Sequence, residues 1–151
     1  MFNVLHLHPM LVHFPIALFF TSFFFDMLFR FTQKKEFQKM GYYVLILAVL
    51  SGALAAGAGI LIEDKIESSG ITEQQIDDHK GFAMVALVIF VVLLVFRFFK
   101  KGELSGPIFD LYILLTFVAI LLLSYAAFKG GKLVYEYGAA VQQLPVPSKT
   151  K

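Results

Sequence analysis

Four long apolar segments, separated by three polar connections, dominate the pattern of this sequence. Each segment has about the 20 helical residues needed to cross the hydrocarbon core of a bilayer, and the four cover residues 9–31, 40–62, 81–99 and 107–128. The first and third connections are short, so the segments that they join should be antiparallel neighbours. The pattern therefore predicts an all-α fold, a transmembrane up-down four-helix bundle formed by a single domain at 1–143, with a C-terminal tail at 144–151.

The middle connection is longer and acidic, which predicts a solvent-exposed segment. Thr72 followed by Gln75 is typical of a capping box, so the third helix should begin outside the membrane. On that register His79 lies in the second turn of the helix, at a shallow depth in the membrane. No repeat with a period of about 20 to 50 residues is evident in the sequence.

Composition supports a membrane protein. Hydrophobic residues make up 58% of the chain and the mean hydropathy is +0.75, values that exclude an ordinary soluble globular protein. The sequence has no cysteine, which excludes disulfides, iron–sulfur clusters and haem attached through a Cys-x-x-Cys-His motif. The net charge of +2 comes with neither a basic stripe nor a nucleic-acid-binding motif. We therefore expect the lipid bilayer, and no nucleic acid, as a partner.

Basic residues near the ends of the spans predict the orientation of the bundle. They are concentrated at the first and third connections, at Arg30, Lys34, Lys35, Lys39, Arg97, Lys100 and Lys101. Because short basic loops face the cytoplasm, both termini should lie on the outer, periplasmic side. The N-terminus lacks the positive region and the cleavage site of a secretory signal, so the first span should be retained.

Three of the four histidines fall at residues 5–20, in the stretch LHLHPMLVHFPIALFF, where the first apolar run begins. Pro9 suits a first helical position, which leaves His8 at the helix boundary, and Pro15 predicts a bend near His13. Ionisable residues in membrane segments usually face the interior of a bundle or a cofactor. These imidazoles are therefore candidates for a functional site.

Two of the histidines are each followed by a small residue one helical turn deeper. Ala17 follows His13 at i+4, and Ala83 follows His79 at i+4. Two such helix faces leave a slot for a flat ring, as a haem b with one axial imidazole on each side requires. The sequence predicts a bis-histidine haem with His13 and His79 as axial ligands, both alanines against the macrocycle, and His8 as the reserve ligand.

Two other interpretations of the histidines stay open. Imidazole also binds copper and zinc, and His6, His8 or Met10 could complete such a metal set. The histidines could instead form a hydrogen-bonded structural cluster without any ligand. The small residues of the second span, at 51–59, are interpreted mainly as a close helix-packing surface.

The end of the fourth apolar segment carries a second set of candidate residues. Two adjacent glycines, the second of which is Gly131, permit close approach of the backbone to a ligand. Lys132 and Tyr135 lie one turn apart and could donate hydrogen bonds to a haem propionate. A snorkelling lysine and an interfacial tyrosine explain the same two residues, and snorkelling is expected of Lys129.

Three acidic residues have simpler predicted roles. Asp26 should pair with Arg30 at i+4, near the cytoplasmic surface. Glu63 closes the second span on the histidine side and could hydrogen-bond a ligand imidazole. Asp110 should be interfacial.

Together these features resemble the bacterial membrane proteins grouped as domain of unknown function 2231 (DUF2231). The resemblance runs from His8 to about Gly138 and is carried by HPMLVHFPIAL at 8–18, Asp26, the small-residue second span, His79 and GKLVY at 131–135. It implies a multi-pass protein of the bacterial inner membrane whose function the family leaves open. Segments similar to these occur alongside bacterial cytochrome modules, and this association favours haem as the cofactor. Related sequences tend to have an aromatic residue after the acid that closes span two, where this chain has Asp64, so no aromatic role is expected there.

The sequence thus predicts a membrane-embedded b-type haem protein that transfers electrons with a quinone or with a periplasmic or respiratory partner such as a cytochrome. No catalytic nucleophile or acid–base pair is evident, so a binding or electron-transfer protein, as a monomer or an oligomer, is expected rather than an enzyme. The alternatives are a copper- or zinc-binding membrane protein and a non-catalytic accessory subunit of a respiratory complex.

Overall fold

The computed structural model describes residues 4–67 and 71–141. A 3₁₀ turn, Val4–His6, precedes six helices: α1 Leu7–Leu11, α2 His13–Thr32, α3 Lys35–Ile60, α4 Glu63–Glu67, α5 Glu73–Phe99 and α6 Gly106–Tyr135. Four stretches are long and apolar enough to span a membrane: span 1 Leu7–Thr32, span 2 Lys35–Ile60, span 3 Glu73–Phe99 and span 4 Gly106–Tyr135. The predicted all-α fold with four spans is confirmed, and the predicted tail lies outside the described residues.

Span 1 begins two residues earlier than predicted, at Leu7 rather than Pro9. Pro9 is tolerated there because the first four N–H groups of a helix have no partner within it. The helix is interrupted at Val12, between α1 and α2, one residue before the predicted bend at His13. A backbone hydrogen bond from Val12 N to His8 O, 3.1 Å long, carries the chain across the interruption.

The start of span 3 is fixed by its N-terminal cap, as the sequence predicts. Thr72 and Gln75 form a capping box, in which the Thr72 N–H donates to Gln75 Oε1 at 3.1 Å. His79 consequently lies at the end of the second turn of the helix, close to one end of the bundle.

Two apolar clusters fill the interior. The larger extends from the middle of the bundle towards the end opposite His79 and contains Phe19, Phe29, Leu45, Ala48, Val49, Phe90, Leu93, Leu104, Phe109, Tyr112, Ala119 and Ile120. The smaller lies at the end that carries His79 and contains Ile62, Ile66, Ile71, Ile76, Leu133 and Ala139. Large apolar side chains such as Leu54 and Val92 stay exposed on the outside, as expected of a surface that meets lipid rather than water.

The four spans form two helical hairpins. Spans 1 and 2 pack along each other as the first hairpin, spans 3 and 4 do the same as the second, and further contacts join span 2 to span 3 and span 1 to span 4. Residues 71 positions apart are equivalent in the two hairpins, because span 4 begins 71 positions after span 2 and the residue pairs that meet between spans 1 and 3 have the same spacing.

Equivalent residues of the two hairpins occupy equivalent environments. Phe19 and Phe90 stack on each other across the bundle, with ring centres 3.8 Å apart and almost no exposure. Ala48 and Ala119 are both fully buried. Equivalent residues can contact each other only close to a twofold axis. The two hairpins are therefore related by an approximate twofold axis, which runs parallel to the spans and passes between the two phenylalanine rings.

Candidate functional site

Two imidazoles face each other at one end of this axis, which we call the histidine end. The rings of His8, from span 1, and His79, from span 3, have centres 6.0 Å apart and planes at 79°. The two residues are 71 positions apart, so they are equivalent in the two hairpins. Both are half-buried, and the smaller apolar cluster lies at the same end.

Each imidazole is anchored to the second helix of its own hairpin. His8 Nδ1 lies 2.8 Å from the carbonyl oxygen of Ala55, and His79 Nδ1 lies 2.8 Å from that of Ala126. A carbonyl oxygen can only accept, so Nδ1 must carry the proton in both rings. In the neutral imidazole this leaves Nε2 with its lone pair, the form in which histidine binds a metal.

A glycine beneath each ring makes these contacts possible. A Cβ atom on Gly59 would lie 3.0 Å from His8 Nδ1, and one on Gly130 would lie 2.8 Å from His79 Cε1. Both glycines lie one helical turn after the alanine whose carbonyl accepts the hydrogen bond, where a side chain would cover that carbonyl. Gly59 and Gly130 are themselves 71 positions apart. The carbonyl and the glycine that hold each imidazole are therefore repeated in the two hairpins.

The histidine that faces His79 is therefore His8, the predicted reserve ligand, and not His13. The side chain of His13 is exposed, Ala17 is also exposed, and Ala83 is half-buried. Five residues separate the two histidines of span 1, which corresponds to about 140° around a helix of 3.6 residues per turn. A rotation of span 1 that turns one of them to the axis turns the other away from it.

His13 instead lines a shallow groove on the outside of the histidine end. The groove has a volume of about 380 Å³ and is bordered by His6, Pro9, Met10 and His13 on one side and by Val134, Ala139, Ala140 and Val141 on the other. His6, Met10 and His13 are all exposed. Two imidazoles and a thioether thus open onto one groove.

The predicted propionate-binding residues lie on another outer face. A separate shallow groove of about 260 Å³ is lined by Phe128, Gly131, Lys132, Tyr135 and Glu136. Lys132 Nζ lies 3.7 Å from a carboxylate oxygen of Glu136, and Tyr135 is 90% exposed. Among the described residues, nothing outside the local helix backbone lies within 4 Å of a Cβ added to Gly131. The glycine that meets a ring is its neighbour, Gly130.

Ion pairs surround the rim of the histidine end. Glu63, predicted as a partner of a ligand imidazole, pairs with Lys80 at 2.6 Å. Lys129, predicted to snorkel, pairs with Asp78 at 2.8 Å. These side chains are at least partly exposed, so the pairs tie neighbouring helices together at the surface, with small individual stabilisation.

The opposite end of the bundle holds a buried ion pair, and we call it the ion-pair end. Asp26 Oδ2 lies 2.8 Å from Arg97 Nη1, and both side chains are fully buried. The predicted pairing of Asp26 with Arg30 is wrong, because Asp26 faces the axis whereas Arg30 faces outwards. Arg30 pairs with Asp110 of span 4 at 2.9 Å, and both of those side chains are exposed.

A network of hydrogen bonds surrounds Arg97. Its guanidinium donates to the hydroxyl oxygen of Tyr112 at 2.8 Å, to the Gly102 carbonyl at 3.2 Å and to the Gln38 carbonyl. The Tyr112 hydroxyl in turn donates to Asp26 Oδ2 at 3.0 Å. Asp26 Oδ1 has no hydrogen-bond partner in the described part of the chain and abuts Gly41, where a Cβ would come within 2.6 Å.

Sequence reasoning missed this network, although a signal for it exists. From the sequence, only an orienting role is predicted for Arg97, and Asp26 is paired with Arg30, the nearest basic residue in sequence. Asp26 and Arg97 are 71 residues apart, the spacing that also separates the two facing histidines. An acid and a base inside two apolar spans at the same spacing as the histidines indicate a pair across the bundle.

Within residues 4–67 and 71–141, no group of three or more histidine, cysteine or acidic side chains is arranged to hold a metal ion. The facing histidines would supply two ligands. Any metal bound between them must therefore be satisfied by two protein donors or bring other donors with it.

A family model described as "Predicted membrane protein (DUF2231)" matches residues 5–143, which is most of the chain. No curated protein and no solved structure matches.

Proposed function

Because the chain belongs to the DUF2231 family of predicted membrane proteins, whose description names no activity, we propose its function from the histidine end. The protein holds one b-type haem between His8 and His79 and serves as an electron carrier in the membrane. The observation that carries this function is the pair of facing imidazoles 6.0 Å apart, each with Nδ1 anchored on a backbone carbonyl. Metal-binding histidines commonly have this arrangement, in which the second nitrogen is fixed by a hydrogen bond.

The number of donors favours haem over a bare ion. Zinc generally requires four ligands, and the histidine end offers two imidazoles. Haem supplies four nitrogen donors of its own and needs only the two axial positions. Two imidazoles at about 2 Å from a shared metal have ring centres roughly 6 Å apart, a separation that agrees with the one observed.

The residues of the chain would hold and tune the group in three ways. The carbonyls of Ala55 and Ala126 fix the orientation of the rings, and Gly59 and Gly130 leave space for them. The smaller apolar cluster shields this end from water. Haem bound by two imidazoles exchanges single electrons, and burial and hydrogen bonding around the site set its potential.

The partners follow from the position of the site at one end of the bundle. A quinone in the adjacent leaflet, or a cytochrome or respiratory complex docked at that end, is close enough to exchange electrons with it. With the predicted orientation, this end faces the periplasm of a bacterial inner membrane. Because both axial positions would be filled by histidine, electron transfer is favoured over oxygen chemistry.

Spectroscopy of the purified protein tests the function. The protein is produced in haem-replete cells, and reduced-minus-oxidised spectra are recorded for the parent, His8→Ala, His79→Ala and His13→Ala. Soret and α bands are expected in the parent and in His13→Ala, and they should be lost or converted to a five-coordinate form in the other two. A parent protein without these bands, or bands that depend on His13 and not on His8, would overturn the assignment.

A second candidate function, metal handling, is favoured by the groove outside the histidine end. His6, Met10 and His13 open onto it, and imidazole with thioether suits monovalent copper better than zinc. If this function is correct, elemental analysis after loading finds stoichiometric copper, His13→Ala removes it and His79→Ala retains it. Copper that survives His13→Ala, or zinc in its place, speaks against it.

A further inference from the structure

Three pairs of equivalent residues meet across the approximate twofold axis at three levels of the bundle. His8 contacts His79 at one end, Phe19 stacks on Phe90 in the middle, and at the other end Asp26 binds Arg97. The first two pairs join identical residues, whereas the third joins opposite charges. Of the three positions, only this one gives the two hairpins side chains of opposite charge.

Two identical hairpins could not pair in the same way. Around the same axis, two copies of the first hairpin would bring Asp26 against Asp26, and two copies of the second would bring Arg97 against Arg97. Both positions are fully buried, and a buried charge without a partner of opposite sign is strongly destabilising in protein or lipid. Pairs of identical residues on the axis offer no such discrimination.

The surroundings of the ion pair reinforce the difference between the hairpins. Gly41 makes room for the Asp26 carboxylate, and its equivalent in the second hairpin, 71 positions later, is Tyr112, whose hydroxyl binds both Asp26 and Arg97. The first hairpin thus supplies an acid packed against a glycine, and the second supplies a base beside a hydroxyl that fills the interface.

We infer that Asp26 and Arg97 decide which hairpins associate. The inner face of each hairpin is an interaction surface that accepts the unlike hairpin, from its own chain or from a second copy, and rejects a like one. The ion pair thereby directs each chain towards a closed four-helix unit and away from dimers built on like pairs. This inference does not depend on a cofactor at the histidine end.

The absence of cysteine from the sequence gives a direct test. A chain carrying only His8→Cys can be cross-linked across the axis by a short bis-maleimide solely with the same residue of a second chain, which reports like pairing. Membranes containing this variant are treated with the cross-linker and run on denaturing gels, and His79→Cys is tested in the same way. The double variant with both cysteines should be cross-linked within one chain.

With the ion pair intact, the single-cysteine chains should remain largely monomeric. Adding Asp26→Asn and Arg97→Met together should raise the cross-linked dimer several-fold. The matched control, Arg30→Gln with Asp110→Asn, removes the exposed ion pair between spans 1 and 4 and should not raise it. A dimer fraction that stays at the parent level after neutralisation of the buried pair contradicts the inference.

A second measurement decides the matter if the neutralised chain does not accumulate. Two differently tagged full-length chains are co-expressed, Asp26→Arg, in which both hairpins are positive, and Arg97→Asp, in which both are negative. The unlike chains should co-purify several-fold more than either chain with itself, since one interface between them retains the native pair. Equal recovery of like and unlike pairs would show that charge does not select the partner.

Discussion

The histidine end and the ion-pair end occupy opposite ends of one axis and differ in how completely their polar atoms are used. At the ion-pair end, Asp26 and Arg97 have no exposed surface and are satisfied largely by each other, by Tyr112 and by backbone carbonyls. At the histidine end, each half-buried imidazole has Nδ1 bonded to a carbonyl oxygen, and Nε2 is the nitrogen that we propose binds the haem iron. The first end is organised to hold the bundle together, and we propose that the second binds a cofactor.

The largest expected effect is the loss of the buried charge pair. Arg97→Met leaves the Asp26 carboxylate buried without its partner and should lower the free energy of unfolding by about 3–5 kcal/mol. Unfolding in detergent micelles, followed by circular dichroism against increasing sodium dodecyl sulfate, measures it. Arg30→Met is the control, because its exposed pair with Asp110 should contribute only about 0–1 kcal/mol. Similar losses in the two variants would remove the distinction between the buried and the exposed pair.

A smaller effect is expected where Asp26 meets the second span. In Gly41→Ala the added Cβ would lie within 2.6 Å of Asp26 Oδ1, and such overpacking should cost about 1–3 kcal/mol. In Gly57→Ala, in the same helix, the new Cβ meets nothing within 4 Å in the described part of the chain beyond its own helix backbone, so this change should instead stabilise the protein by roughly 0.5–1 kcal/mol. In the same unfolding assay, the two variants should change the free energy of unfolding in opposite directions. A change in the same direction would contradict the close packing of Asp26 against Gly41.

The smallest effect on stability, under about 1 kcal/mol, is expected at the histidine end. Gly130→Ala would bring a Cβ within 2.8 Å of the His79 ring, which should move the ring more than it weakens the fold. Imidazole NMR of ¹⁵N-histidine-labelled protein reports the loss of the hydrogen bond to Ala126, with or without a cofactor. Gly131→Ala, which has open space around it, should leave that signal unchanged. A matching shift in both variants would argue against a seat built around Gly130.

The sequence predicts the spans well because their signals are local. Apolar length and the Thr72 capping box are each found within a single span, and the family assignment to DUF2231 is likewise confirmed. The orientation of the termini and the identity of any cofactor stay predictions, because no local contact depends on them.

The site was predicted less well, because helix rotation depends on packing. His8 and His13 are both reasonable ligands by spacing, and only contacts with spans 2 and 3 turn His8 to the axis. The pairing of Asp26 with Arg97 is hard to predict for the same reason, because it depends on how the two hairpins pack against each other. The repeat itself is hard to see because its period is long and most of its equivalent pairs, such as Leu45 and Thr116, differ.

The position of Arg97 in the chain also has a consequence for biosynthesis. Asp26 leaves the ribosome 71 residues before this arginine does, so the first hairpin enters the bilayer with the Asp26 carboxylate still unneutralised. A charged group at that depth favours retention beside the insertion machinery, and a chain truncated after the first hairpin is expected to be cleared by membrane proteases rather than released as a stable fragment.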